Sequence, residues 1–356
     1  MPRTKSGRSR LGGAIPLHFA STGSFVPRQV VTNDDLAHLG CDSQWIIQRT
    51  GIRERRFASM NEASSDLAYA AAVNCLESAG VGAEEIDLLL VTTITPDYPT
   101  PSTACVLQQK LGCCAPSMDI NAACSGFVYG LITAAHYVHS GAARNALVVG
   151  AEIMSRTISP EDVKTYPLFG DGAGAVLLQP ADSSDDLPLR YDEPMPHSTM
   201  HGSMPGILAY TLGSEGNIQA LCTPGGGSRE PLTVEGIAAG RQYMRMEGRS
   251  VFKWAVRCIV DSCNDVVAAA GYSMEDVDLL VLHQANVRIM DAAVEGFSIP
   301  RERVVVNVDR YGNTSAASVP LALDEAHRQG KIGRGSLVLL CGFGSGLTWG
   351  TALVRW

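Results

Sequence analysis

Part of this chain occurs twice, and that restricts the fold more than any other feature. Ala79-Gly80, five residues, then Ile86-Asp87-Leu88-Leu89-Leu90-Val91 is matched 191 residues further on by Ala270-Gly271, five residues, then Val277-Asp278-Leu279-Leu280-Val281-Leu282. A second match is offset by 189: Cys124 lies 17 residues before Gly141, and Asn313 lies 17 before Gly330. Each continuous apolar run reads as a strand buried on both faces. Two matches at nearly one offset predict a duplicated strand–helix unit. The pattern extends to helices over 65–79 and 102–111 and to buried strands over 86–93, 147–151, 173–179 and 337–340. This alternation predicts an α/β fold in layers. The expected organisation is a disordered basic tail over 1–14, one half over 15–180, a Pro-, Gly- and Ser-rich connection over 181–236, and a second half over 237–356.

Composition removes several function classes. The 356 residues are 46% hydrophobic and 18% charged, which supplies apolar material for two fused halves. A net charge of −8 gives no global reason to bind nucleic acid or a membrane surface. No apolar run approaches the roughly 20 residues of a membrane span. Ten scattered cysteines form no C-x-x-C pairs or Cys/His quartets, so neither a metal site nor a disulfide framework is expected. The first 14 residues lack the apolar stretch of a secretory signal, and a reduced, cytoplasmic protein is the expectation.

The chemistry centres on Asp119 to Gly130, D-I-N-A-A-C-S-G-F-V-Y-G. A strand ends before it, and apolar residues at helical spacing follow, so a helix starts near Cys124. There a thiol meets unpaired N–H groups and the positive end of the helix dipole, a setting that lowers a cysteine pKa from about 8.5 towards neutrality. Alone, Cys124 reads either as a nucleophile or as an inert buried thiol. Alone, His283 reads as a structural histidine and Asn313 as a helix cap. The repeat changes this, because equivalent loops of two pseudo-symmetric halves converge between them: Thr92 matches His283, and Cys124 matches Asn313. A thiolate with two neutral donors suits thioester exchange followed by carbanion chemistry. Cys124 would accept an acyl group; His283 Nε2 and the Asn313 amide would stabilise the enolate formed when a malonyl thioester loses CO2. No metal or organic cofactor is needed. The C-terminal Gly-rich run, Cys341 to Gly346, suits an oxyanion hole from the N–H groups of Ser345 and Cys124. Arg249, Lys253 and Arg257 recur every fourth residue opposite an apolar face; the row is either a solvated surface or a dock for an acidic partner, extended by Arg288.

Together these residues resemble β-ketoacyl-[acyl-carrier-protein] synthase III, a thiolase-fold condensing family. The likeness runs from about Ile15 to Trp356 and rests on R-T-G-I-R-E-R (49–55), A-A-C-S-G-F (122–127), F-G-D-G-A-G-A (169–175), H-Q-A-N (283–286), G-N-T-S-A-A-S (312–318) and F-G-S-G-L-T-W-G (343–350). The resemblance implies a duplicated thiolase-like fold in α-β-α-β-α layers and a Cys124, His283, Asn313 triad supported by Asn286. It implies Trp45 and Arg49 at the coenzyme A end, a homodimer, and a carrier-protein docking surface that includes Lys253 and Arg288. The expected reaction condenses an acyl-CoA primer with malonyl-[acyl carrier protein] through an acyl-Cys124 thioester, which initiates fatty acid or related acyl chain synthesis. The competing expectation is a same-fold acyltransferase that passes the acyl group to a hydroxyl or amine. Three positions depart from the family pattern: Val163-Lys164 in place of a nucleotide-binding Arg, Glu295-Gly296 in place of two lysines, and Thr100 in place of a Phe that closes the primer pocket. The small Thr100 predicts primers larger than acetyl or relaxed selectivity.

Overall fold

The computed structural model of the protein describes residues 9–181, 204–297 and 299–356. The apolar runs become strands of two sheets. In the first, β1 (His18–Phe25), β2 (Leu88–Thr92), β3 (Ser117–Ile120), β4 (Ala146–Ile153) and β5 (Asp171–Gln179) lie in the order β1-β5-β4-β2-β3. Strands β4, β2 and β3 are parallel, and β5 runs antiparallel to β4 and β1. The second sheet repeats this plan with β6 (Gly206–Ser214), β7 (Leu279–Leu282), β8 (Leu337–Gly344) and β9 (Thr348–Arg355), in the order β6-β9-β8-β7. Again β8 and β7 are parallel, while β9 is antiparallel to β8 and β6. Where the first sheet has β3, Val304 makes a parallel bridge to Leu280. The duplication is therefore one of topology as well as sequence.

Among the described residues, seven helices of eight residues or more fill the layers: α1 (Ser43–Thr50), α2 (Ser64–Ala79), α3 (Thr103–Leu111), α4 (Gly126–His139), α5 (Gly248–Ala269), α6 (Val287–Val294) and α7 (Ser318–Arg328). Because side chains alternate across a strand, Leu88 and Leu90 enter a central core with Phe127, Leu131, Val319 and Leu323, whereas Leu89 and Val91 pack under α2 and α3. On the second sheet Leu279 and Val281 point to the same central core, and Leu280 and Leu282 lie under α5 and α6. The result is the expected α-β-α-β-α stack with α4 and α7 in the middle. Each buried leucine contributes about 2 kcal/mol, so the doubly buried strands hold the halves together.

Two expected boundaries differ. Within the tail expected over 1–14, Arg10–Gly12 forms a strand antiparallel to β6, and Ile15–Pro16 pairs with the same strand. The edge of β6 offers unpaired backbone groups, and the Ser9 hydroxyl adds a 2.6 Å bond to Thr211 Oγ1. Strand β6 itself lies inside the stretch expected as a connection over 181–236, so the second sheet begins earlier than 237. The remainder of those expectations, over 1–8 and 182–203, falls outside the described residues.

The register of the second repeat also differs. A 3-10 turn, Ala123–Ser125, precedes α4, and a matching turn, Ser315–Ala317, precedes α7. Ala123 and Ser315 share a left-handed conformation, φ 48° and 50°. Superposing the turns pairs Cys124 with Ala316, and Asn313 with Asn121. Helix α7 has 11 residues and α4 has 14, so counting back from the two terminal glycines lands three residues off. Each turn packs on the central strand of the opposite half. A Cβ on Gly150 would stand 2.5 Å from the Ala316 carbonyl oxygen, and one on Gly342 would stand 2.9 Å from Ser125 Cα.

Candidate active site

Cys124 lies in the strained turn at the head of α4, 7% exposed. The end of β8 lies so close that a Cβ on Gly344 would stand 2.7 Å from the Cys124 backbone nitrogen. Only a glycine fits there without meeting the Cys124 backbone. Ser345 turns its side chain away, donating to the Leu221 carbonyl at 2.6 Å. The thiol departs from expectation: burial pushes it up to about 12, the Glu152 carboxylate adds to the rise, and bonds from Ser315 and from its own backbone N–H oppose it. The dipole of α4 does not outweigh the loss of water around the sulfur.

His283 follows β7 and is 1% exposed. Its N–H donates to the Cys341 carbonyl at 2.7 Å, its ring stands edge-on to Phe343 at 5.1 Å, and its Nδ1 lies 2.5 Å from Ser318 Oγ. Burial pushes it down to about 3, so the ring is neutral at physiological pH. Asn313 is bridged to the segment just before β5: its N–H donates to the Leu168 carbonyl, and its carbonyl accepts from the Gly170 N–H. Its side-chain Oδ1 accepts from the Ser315 N–H at 2.8 Å. Cys124 thus borders Ser315 and Gly344, His283 borders Phe343, and Asn313 holds the turn that contains Ser315. The three predicted residues converge where the halves meet.

The flanking predictions divide into three places. Trp45 and Arg49 stack on α1, the guanidinium 4.5 Å from the ring centroid. Asn286 ties α1 to the His283 loop, donating to the Arg49 carbonyl at 3.1 Å and capping α6 through Arg288 N–H at 2.8 Å. Arg249, Lys253 and Arg257 are exposed on α5, and Arg288 reaches the same face, 5.9 Å above the Phe252 ring. Thr100 is exposed on the loop between β2 and α3. Sequence reasoning passed over Ser318, Ser315 and Glu152. The first two lie inside the recognised G-N-T-S-A-A-S motif, while Glu152 is a single acid ending an apolar strand, the signal that was available.

Comparison with known proteins gives the family. Residues 118–190 and 267–356 match the family models for 3-oxoacyl-[acyl-carrier-protein] synthase III and its C-terminal region. A β-ketoacyl-[acyl-carrier-protein] synthase III from Rhodopirellula baltica is 56% identical over 97% of this chain and 100% of its own length. One from Desulfitobacterium hafniense is 44% identical over 96% and 98%. The crystal structure of 3-oxoacyl-[acyl-carrier-protein] synthase III from Aquifex aeolicus superposes with a TM-score of 0.82 at 40% identity, covering 96% of this chain and all of that one. Identity at this level along nearly the whole of both chains places the protein in the β-ketoacyl-[acyl-carrier-protein] synthase III family of condensing acyltransferases.

Proposed function

We propose that Cys124, His283 and Asn313 carry the two half-reactions by which this chain condenses an acyl-CoA with malonyl-[acyl carrier protein] and starts a fatty acyl chain. In the first, Cys124 attacks the thioester carbonyl, the backbone N–H groups of Cys124 and Ser345 receive the oxyanion, and coenzyme A leaves. In the second, the malonyl group loses CO2 and its electrons move to an enolate oxygen held by His283 and Asn313. The resulting carbanion attacks the acyl-Cys124 carbonyl, and the 3-oxoacyl product departs as Cys124 regains its electron pair. CO2 loss generates the carbanion, so the scheme uses no metal or organic cofactor.

The observation that carries this reading is the donor-only character of the two partners. Ser318 Oγ accepts the Gln284 N–H at 3.4 Å, which directs its own proton to His283 Nδ1 and keeps hydrogen on Nε2. Asn313 Oδ1 is occupied by Ser315 N–H, which leaves its amide hydrogens for substrate. Trp45 and Arg49 support a coenzyme A contact, and the Arg249, Lys253, Arg257 and Arg288 face suits an acidic carrier. The chain works as a cytoplasmic homodimer in this reading. Strand β3 is a sheet edge with Met118 37% exposed and Tyr98 56% exposed nearby, and a second copy would bring Thr100 to its partner's primer pocket.

Intact-mass measurement with acyl-CoAs of two to twelve carbons, then malonyl carrier protein, tests the scheme. An adduct on Cys124 that clears with CO2 release is expected, as is its absence in Cys124→Ala. An adduct that clears only with an alcohol or amine would overturn condensation. Either His283→Ala or Asn313→Ala should lower 14CO2 release by about 100-fold or more while leaving acylation.

A further inference from the structure

The scheme above leaves one buried ionisable group unused. Glu152, in β4, has no exposed surface. Its Oε2 accepts from Thr95 Oγ1 at 2.6 Å and from Thr93 Oγ1, Ile94 N–H and Thr95 N–H at 3.1 Å. Its Oε1 accepts from Ser315 Oγ at 3.0 Å and from Ala316 N–H at 3.4 Å. In the pairing of the two sheets Glu152 lies opposite Gly172 in β4–β5, and Gly344 lies opposite Thr348 in the matching β8–β9 pair. Glu152 therefore fills, beside Ala316, the space that Gly344 leaves open beside Cys124. A plug alone asks only for bulk. The feature a plug does not explain is the Ser315 hydroxyl, which donates to the carboxylate at 3.0 Å from a turn packed against the one that holds Cys124, and which opposes the rise in the Cys124 pKa.

A proton acceptor is also needed. His283 has its Nδ1 engaged by Ser318 and stays neutral as a donor, so the thiol proton of Cys124 must go elsewhere. We propose that Ser315 and Glu152 form a proton relay that removes the Cys124 thiol proton during acylation. The S–H proton passes to Ser315 Oγ as the Ser315 O–H proton passes to Glu152 Oε1. The thiolate adds to the acyl-CoA carbonyl, the carbon–sulfur bond to coenzyme A breaks with its electron pair on that sulfur, and the proton returns from Glu152 through Ser315 to release the free thiol. The relay moves one charge within the site and requires no co-reactant. Burial pushes Glu152 up to about 7, in the range where a carboxylate accepts and returns a proton near neutrality. The β2–α3 loop brings Thr93, Ile94 and Thr95 against Glu152, and the α7 turn brings Ser315 and Ala316; among these neighbours Cys124 is the ionisable one.

This inference rests on Cys124 as the acylated residue, and the experiment separates the two. Rapid-quench acylation of the full-length protein by butyryl-CoA is followed by intact mass across pH 5.5–8.5, and 14CO2 release from malonyl carrier protein is then measured separately on enzyme already acylated to completion. Glu152→Gln and Ser315→Ala should slow acylation by about 100-fold, change 14CO2 release by less than about threefold, and abolish the rise of acylation rate through neutral pH. Ser315→Thr, which keeps a hydroxyl, should recover most of the rate. Acylation at wild-type rates in both variants, or equal loss of both half-reactions, would overturn the relay. If Glu152→Gln does not fold, Ser315→Ala carries the test with one oxygen removed. A wild-type protein that is never acylated would refute the assignment of Cys124 instead.

Discussion

Ser318 shows how much of this site rests on single atoms. Its hydroxyl is the partner within reach of His283 Nδ1, and it sets which ring nitrogen carries hydrogen. Ser318→Ala should lower 14CO2 release about 10- to 100-fold and leave Cys124 acylation intact, since a His without a tautomer-setting partner is the wrong donor part of the time. Burial of ionisable groups has a separate signature in stability. Glu152 is raised from 4.5 to about 7, so the folded state binds more protons than the unfolded one between those values. Its contribution is full below pH 4.5 and is lost as pH rises through 7. His283 is lowered from 6.5 to about 3, so its contribution is full above pH 6.5 and is lost as pH falls towards 3. Relative to Glu152→Gln, the wild type should therefore lose stability between pH 4.5 and 8, on the order of 3 kcal/mol. Urea midpoints at the two ends would show it, and parallel curves would refute it. The candidate triad was legible in sequence because Cys124, His283 and Asn313 each sit in a recognisable motif. The thiol's raised pKa was not, because desolvation depends on what encloses the sulfur.

Elements of the two halves answer one another closely. The left-handed residues Ala123 and Ser315 open equivalent turns, and each turn presses on a glycine of the other half's central strand, Gly342 and Gly150. Where Ser318 meets His283, the matching Gly126 faces Thr92, its would-be Cβ 3.4 Å from the Thr92 Cβ. One half thus supplies the Cys124 thiol and the other the His283 imidazole from the same template. Both Gly150→Ala and Gly342→Ala should destabilise the protein by about 1–3 kcal/mol, read as a fall in urea midpoint, because the added carbon meets backbone that has no rotamer to yield. Wild-type stability in either variant would show that the turns shift freely. Strand identities and helix ends were readable from apolar runs and terminal glycines. The three-residue difference between α4 and α7 was not, since a shorter helix leaves the same glycine signal.

Over the whole molecule, the N-terminal residues are the part a linear reading handles least well. Arg10–Gly12 extends the sheet of the opposite half, so deleting residues 2–13 should lower Tm by a few degrees, with kcat unchanged, because the site lies elsewhere. A Tm equal to wild type would mean the strand adds nothing. Exposed Thr100 belongs to the proposed dimer; Thr100→Phe should shift primer preference towards acetyl-CoA over six- to eight-carbon acyl-CoAs by about tenfold, checked by competing acyl-CoAs in the mass assay. The order of strands and helices, the duplication and the candidate triad were determined by sequence alone, because apolar periodicity and motif residues are local properties of the chain. The opposed glycine contacts, the Ser318 and Ser315 hydroxyls, the buried Glu152 and the shift of Cys124 were decided only by tertiary structure. Each arises from residues far apart in the chain, brought together when two sheets close over α4 and α7 and exclude water between them.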